Sequence, residues 1–155
     1  MKKKITLMIF CFTLLNSCAY ISSYISEFRD NRAWNKTIAI DDISAYNNYI
    51  EAFPKGKYVT KAKLRIDNLF WEEAQNINTI QSYSDYIKRF PNGIYTDKAN
   101  ENIEELYWKK AQIKNTISSY KEYILLYPNG KYVQYAKSKI DDIMIDNMSQ
   151  KVRRW

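Results

Sequence analysis

Trp34, Trp71 and Trp108 stand 37 residues apart, and that spacing constrains the fold more than any other feature of the chain. Written from each Trp, the segments WNKTIAIDDISAYNNYIEAFPKGKYVTKAKLRIDNLF, WEEAQNINTIQSYSDYIKRFPNGIYTDKANENIEELY and WKKAQIKNTISSYKEYILLYPNGKYVQYAKSKIDDIM align without a gap. Besides Trp, the repeated columns include Tyr46/Tyr83/Tyr120, Tyr49/Tyr86/Tyr123, Pro54/Pro91/Pro128, Gly56/Gly93/Gly130, Tyr58/Tyr95/Tyr132 and Ala62/Ala99/Ala136. A period of this length marks an array in which each unit is one supersecondary element that buries its apolar face against its neighbours.

Within a unit the apolar residues keep helical time. Ile80, Tyr83, Ile87 and Phe90 draw one stripe down a short helix, because residues three and four apart share a helical face. Asn78 or Thr79 can cap its start. Pro91 ends it, since the residue before proline avoids helical geometry, and Gly93 is expected to leave through a left-handed turn. A second stripe, Tyr58, Ala62, Ile66, Leu69, Ala74 and Ile77, runs through Trp71 with no Gly or Pro to interrupt it. The spacing thus predicts long helices near 58–76, 95–113 and 132–148 and short ones near 41–53, 79–90 and 116–127, with a stub over 34–40. Only 3 Gly and 3 Pro occur in 155 residues, too few for a turn-rich β fold.

The predicted fold class is therefore all-α: a short α-solenoid of three tandem helix hairpins (34–70, 71–107 and 108–144) within a domain spanning 34–148, followed by a basic tail at 149–155. Trp34, Trp71 and Trp108, with Tyr46, Tyr83 and Tyr120, are expected to fill the core between helices. Ala62, Ala99 and Ala136 are small where helices must approach closely.

The chain opens differently. Lys2, Lys3 and Lys4 precede an apolar run from Ile5 to Leu15, the layout of a secretory signal. That run is shorter than the ~20 apolar residues of a membrane span. Leu15-Asn16-Ser17-Cys18 resembles the lipobox of bacterial lipoproteins. The resemblance implies removal of 1–17 by cleavage between Ser17 and Cys18, with lipid attached to the Cys18 thiol; several acyl chains anchor a protein stably where one does so only marginally. An ordinary signal peptide cut elsewhere and an uncleaved anchor are the alternatives. Residues 18–33 read as the lipidated Cys and a tether, or as a short helix packing through Tyr20, Tyr24 and Phe28. Ala19 is not acidic, which by resemblance to lipoprotein sorting rules implies the outer membrane, facing the periplasm, rather than the inner one.

The segments FPKGKYVTKA, FPNGIYTDKA and YPNGKYVQYA resemble the tetratricopeptide-type repeats of bacterial envelope lipoproteins of the BamD-like kind, over residues 34–148. The period of 37 departs from the 34 of the standard unit. This resemblance implies a cell-envelope protein active in outer-membrane assembly or maintenance, with a protein or peptide bound on the repeat surface.

Composition narrows the chemistry. The chain has no His, so the usual proton shuttle and commonest metal ligand are missing. Cys11 is expected to leave with the signal, and no metal site or cofactor is expected beyond the lipid on Cys18. Without Lys2 to Lys4, 21 basic residues face 17 acidic ones along the chain, a poor footprint for nucleic acid. The acidic pairs Asp41-Asp42, Glu72-Glu73, Glu104-Glu105 and Asp141-Asp142 diverge on helices and read as solvated faces, so no catalytic residue is assigned. The expected role is non-catalytic: a scaffold for protein binding, with Glu51-Ala52, Lys88-Arg89 and Leu125-Leu126 among its varying positions, or a binder of peptidoglycan or lipid. Oligomeric state is left open.

Overall fold

The computed structural model describes the backbone of residues 2–154 and the side chains of residues 21–154. Among the described residues the chain is all-α, with α1 Lys2–Ile40, α2 Ile43–Ala52, α3 Val59–Ile77, α4 Ile80–Arg89, α5 Thr96–Lys114, α6 Ile117–Leu126 and α7 Val133–Arg153. Sequential helices pack as hairpins: α1 on α2, α4 on α5, α5 on α6 and α6 on α7. Contacts divide the chain inside α3 into two units, Met1–Leu69 and Phe70–Trp155.

The predicted helices form within two residues of their expected ends, except at the chain's two extremities. The stub at 34–40 is the last part of α1, and α7 runs beyond 148 to Arg153. The stretch read as a tether is helical in this structure, at least over 21–33. Tyr24 and Phe28 do not pack on the first hairpin; they are 65% and 59% exposed. Asp30, Asn31 and Trp34 make that contact instead.

Each short helix starts on a side-chain cap. Asp42, Thr79 and Thr116 accept the N–H groups of Ala45, Ser82 and Ser119, satisfying donors that the first turn leaves without a helical partner. Ser82 and Ser119 complete capping boxes and also donate to the carbonyls of Ala74 and Ala111 on the preceding long helix. The residues just before these caps carry the sharp bend: Asp41, Asn78 and Asn115 have φ of 52°, 51° and 46°. Asp and Asn tolerate this left-handed region better than other side chains. Each also accepts the hydroxyl of a repeated tyrosine, Tyr46, Tyr83 or Tyr120.

No described glycine has a left-handed φ, which corrects the role expected for Gly93. Space is the reason for the glycine column. A Cβ on Gly93 would sit 2.6 Å from the Tyr86 hydroxyl and 2.7 Å from the Phe90 Cβ.

The cores follow the repeated columns. In the first unit Tyr46, Tyr49, Ala62 and Ile66 are buried, beside a half-buried Trp34. In the second unit one cluster gathers Trp71, Ala74, Tyr83, Tyr86 and Ala99, and another gathers Trp108, Ala111, Tyr120, Tyr123, Val133, Ala136 and Ile140. Ala62, Ala99 and Ala136 are all 0% exposed, as close helix approach requires. Each Trp ring stacks on the tyrosine after the turn, with Trp34–Tyr58, Trp71–Tyr95 and Trp108–Tyr132 centroids 4.9, 5.0 and 5.1 Å apart. Each also meets Tyr49, Tyr86 or Tyr123 edge-on, an arrangement favoured by the ring quadrupole.

Candidate interaction surface

The turn between each short helix and the next long one carries backbone donors that its own geometry leaves unpaired. In every repeat a tyrosine hydroxyl serves one of them: Tyr49, Tyr86 and Tyr123 accept the N–H of Tyr58, Tyr95 and Tyr132 at 3.2, 3.2 and 3.1 Å. A carboxylate from the long helix upstream serves the next. Asp30 accepts the Tyr49 hydroxyl and the N–H of Lys57 at 2.7 Å. Glu104 accepts the Tyr123 hydroxyl and the N–H of Lys131, both at 2.6 Å. Burial and the adjacent carboxylate raise Tyr49 from its ordinary value near 10 to about 12; the same two causes, in the same order, push Tyr123 up.

Asp30, Asp67, Glu104 and Asp141 are spaced by 37. Sequence reasoning missed this column for two reasons: one member is Glu, and the first lies ahead of the Trp from which the units were counted. Glu104 is therefore a structural clamp and not part of a solvated face. Asp41 also has a structural task, accepting Arg65 at 2.8 and 2.9 Å and the Tyr46 hydroxyl at 2.6 Å. Those bonds, Arg65 first, lower its pKa to about 2. Glu105, Asp42, Asp141 and Asp142 are exposed, and their carboxylates are not gathered on one another. Among the described residues no group of three or more acidic, Cys or His side chains could hold a metal, and no helix is long and apolar enough to cross a membrane.

Beside the clamp, in the second unit, equivalent residues line a surface groove twice in register, open at the first occurrence and nearly closed at the second. Its floor is constant: Ala74, Ser82 and Tyr86 in the first occurrence, Ala111, Ser119 and Tyr123 in the second. Its rim is not. Glu73, Ile77 and Asp85 in one become Lys110, Lys114 and Glu122 in the other. The first groove encloses about 200 Å³ and the second about 10 Å³. Arg89 also reaches the first, with its guanidinium 4.2 Å from the centre of the Phe70 ring. In the first unit a larger cleft of about 490 Å³ opens between Ser23, Ser26, Glu27 and Asp30 on α1 and the turn at 53–57.

The residues singled out from sequence fall into three groups. The repeat-core Trp, Tyr and Ala positions converge in the interior, as above. The varying positions Glu51, Ala52, Lys88, Arg89, Leu125 and Leu126 are all exposed, Leu125 most openly at 81%. Ser17 and Cys18 lie outside the residues whose side chains are described. No family model, curated protein or solved structure matches the chain.

Proposed function

We propose that this chain is a non-catalytic scaffold of the bacterial cell envelope, held at a membrane by lipid on Cys18 after cleavage at Ser17, and binding partner segments along its tetratricopeptide-like hairpins. The observation that carries the reading is the groove with a constant floor and a changing rim. Residues committed to folding recur in each unit, while the rim changes from acidic Glu73 and apolar Ile77 to Lys110 and Lys114, with an acid kept at Asp85 and Glu122. Such variation on a fixed frame is what selective recognition of an extended or helical segment requires. The resemblance of the repeats to those of BamD-like lipoproteins adds to the proposal a periplasm-facing outer-membrane site and a part in outer-membrane assembly or maintenance.

A photocrosslinking residue placed at Ile77 or Lys114 in living cells tests the groove. Adducts to envelope proteins are expected there and not from Glu105, on the outer side of α5. Lys110→Glu with Lys114→Glu should remove the second-groove adduct while leaving the melting temperature unchanged. Equal adducts from all three positions sink the groove reading. The anchor has its own test: Cys18→Ala should abolish fatty-acid labelling and release the protein from membranes, and a soluble wild type overturns it.

A second reading, a non-catalytic binder of peptidoglycan or lipid, is favoured by the cationic end of α7. There Lys151 and Arg154 line an open cleft with Asn147 and Gln150. Sedimentation of the Cys18→Ala variant, which has no lipid, with purified cell wall or anionic vesicles separates it from the scaffold, which is not expected to pellet.

A further inference from the structure

The helix face that receives each short helix is built to a pattern, and the pattern occurs once more without its occupant. On α5 that face is Glu104, Tyr107 and Trp108. It holds α6 through the Glu104–Tyr123 hydrogen bond and through ring contacts of Tyr107 with Tyr127 and of Trp108 with Tyr123. Moving 37 residues on gives Asp141, Met144 and Ile145 on α7, with Met148 in the place of Ala111. A face meant for solvent is ordinarily polar. Instead Met144, Ile145 and Met148 are 40%, 59% and 61% exposed. Asp141 is exposed, and no hydrogen bond or ion pair engages it among the described residues.

The short helices that fill this face share a signature: Tyr49-Ile50-x-x-Phe53, Tyr86-Ile87-x-x-Phe90 and Tyr123-Ile124-x-x-Tyr127. The chain carries the signature twice more, both on α1, as the overlapping Tyr20-Ile21-x-x-Tyr24 and Tyr24-Ile25-x-x-Phe28; the second ends in Phe, as in α2 and α4, and lies wholly among the residues whose side chains are described. There it is unused, since Ile21, Tyr24, Ile25 and Phe28 are each more than half exposed. In the short helices the corresponding tyrosines Tyr49, Tyr86 and Tyr123 are buried, so among the described residues it is the α1 segment that a folded second copy has to offer. We infer that two copies of this chain associate head to tail, the 21–28 face of α1 in one seating on the Asp141–Met148 face of α7 in the other. Tyr24 then donates to Asp141 as Tyr49 does to Asp30. Phe28 meets Met144 as Phe90 meets Phe70 at 5.5 Å, a contact that sulfur makes favourably with aromatic rings.

The contact is heterologous, using different patches on the two copies, and that property supplies the test. The full chain, purified in mild detergent, is followed by sedimentation velocity across the micromolar range. Wild type should self-associate with concentration. A variant with Ile145→Glu and Met148→Glu, and a second with Ile25→Glu and Phe28→Glu, should each be monomeric with unchanged helical circular dichroism. Mixed together, they should form a dimer and nothing larger, because each retains one working face. Tyr24→Phe in the mixture should weaken that dimer about tenfold, the loss of one hydrogen bond to a charged acceptor. A photocrosslinker at Phe28 should mark α7 of the other copy, a readout that does not depend on the glutamate variants folding. A wild type that stays monomeric, single-face variants that still associate, or a crosslink elsewhere overturns the inference.

Discussion

Tyr123 spends its hydroxyl twice, donating to Glu104 and accepting from the Tyr132 backbone. Tyr123→Phe therefore removes two bonds and leaves a backbone donor and a partly buried carboxylate short of partners. The expected cost is about 1–3 kcal/mol, read by urea unfolding. Combining it with Glu104→Gln should cost less than the two changes separately, because they share one interaction; full additivity in the double-mutant cycle would refute the clamp. Tyr49 gives the pH dependence. Its folded value of about 12 lies above the ordinary value near 10. The stability it contributes is thus whole below pH 10 and is lost as pH rises from about 10 to about 12. Alkaline unfolding, with tyrosinate absorbance rising together with loss of helix, should be seen in this window, and Tyr49→Phe should remove part of the dependence. At this scale the sequence was only half legible. Identity of type marked the tyrosines, but the acid column is defined by charge and reach, which Asp and Glu both supply.

The helices were more legible than their partners. A 3.6-residue apolar period placed six helical stretches, and proline marked where α2, α4 and α6 end, because both signals are local. The continuity of α1 was hidden because the columns were counted from Trp34, so the residues before it had nothing to align with. Glycine misled for a different reason: a left-handed turn and a tight approach select the same residue, and only coordinates tell them apart. Gly93→Ala should consequently destabilise by about 1–3 kcal/mol through overpacking against Tyr86 and Phe90. Gly93→Asn, which suits a left-handed φ, should be no better; rescue by Asn would restore the rejected explanation. Thr116→Ala, which removes the α6 cap, should lower stability by about 1 kcal/mol in thermal melts.

For the molecule as a whole, both clusters of the second unit draw on residues between Phe70 and Ile143. A chain starting at Val59 should then remain helical and unfold cooperatively by circular dichroism, and a broad, non-cooperative melt would refute this. The grooves could not be read in advance, since their floor and rim come from two helices whose packing the sequence does not state. What the sequence did offer was the contrast between fixed and changing columns, as with Ala74/Ala111 against Glu73/Lys110.

The clamp also gives the array a direction. Asp30 comes 27 residues before Lys57, and Glu104 comes 27 residues before Lys131. Both turns take their carboxylate from a helix already synthesised, so hairpins can lock in the order in which they leave the ribosome. Synthesis halted early leaves a spare acid at the growing end, where the reverse arrangement would leave a turn with nothing to hold it.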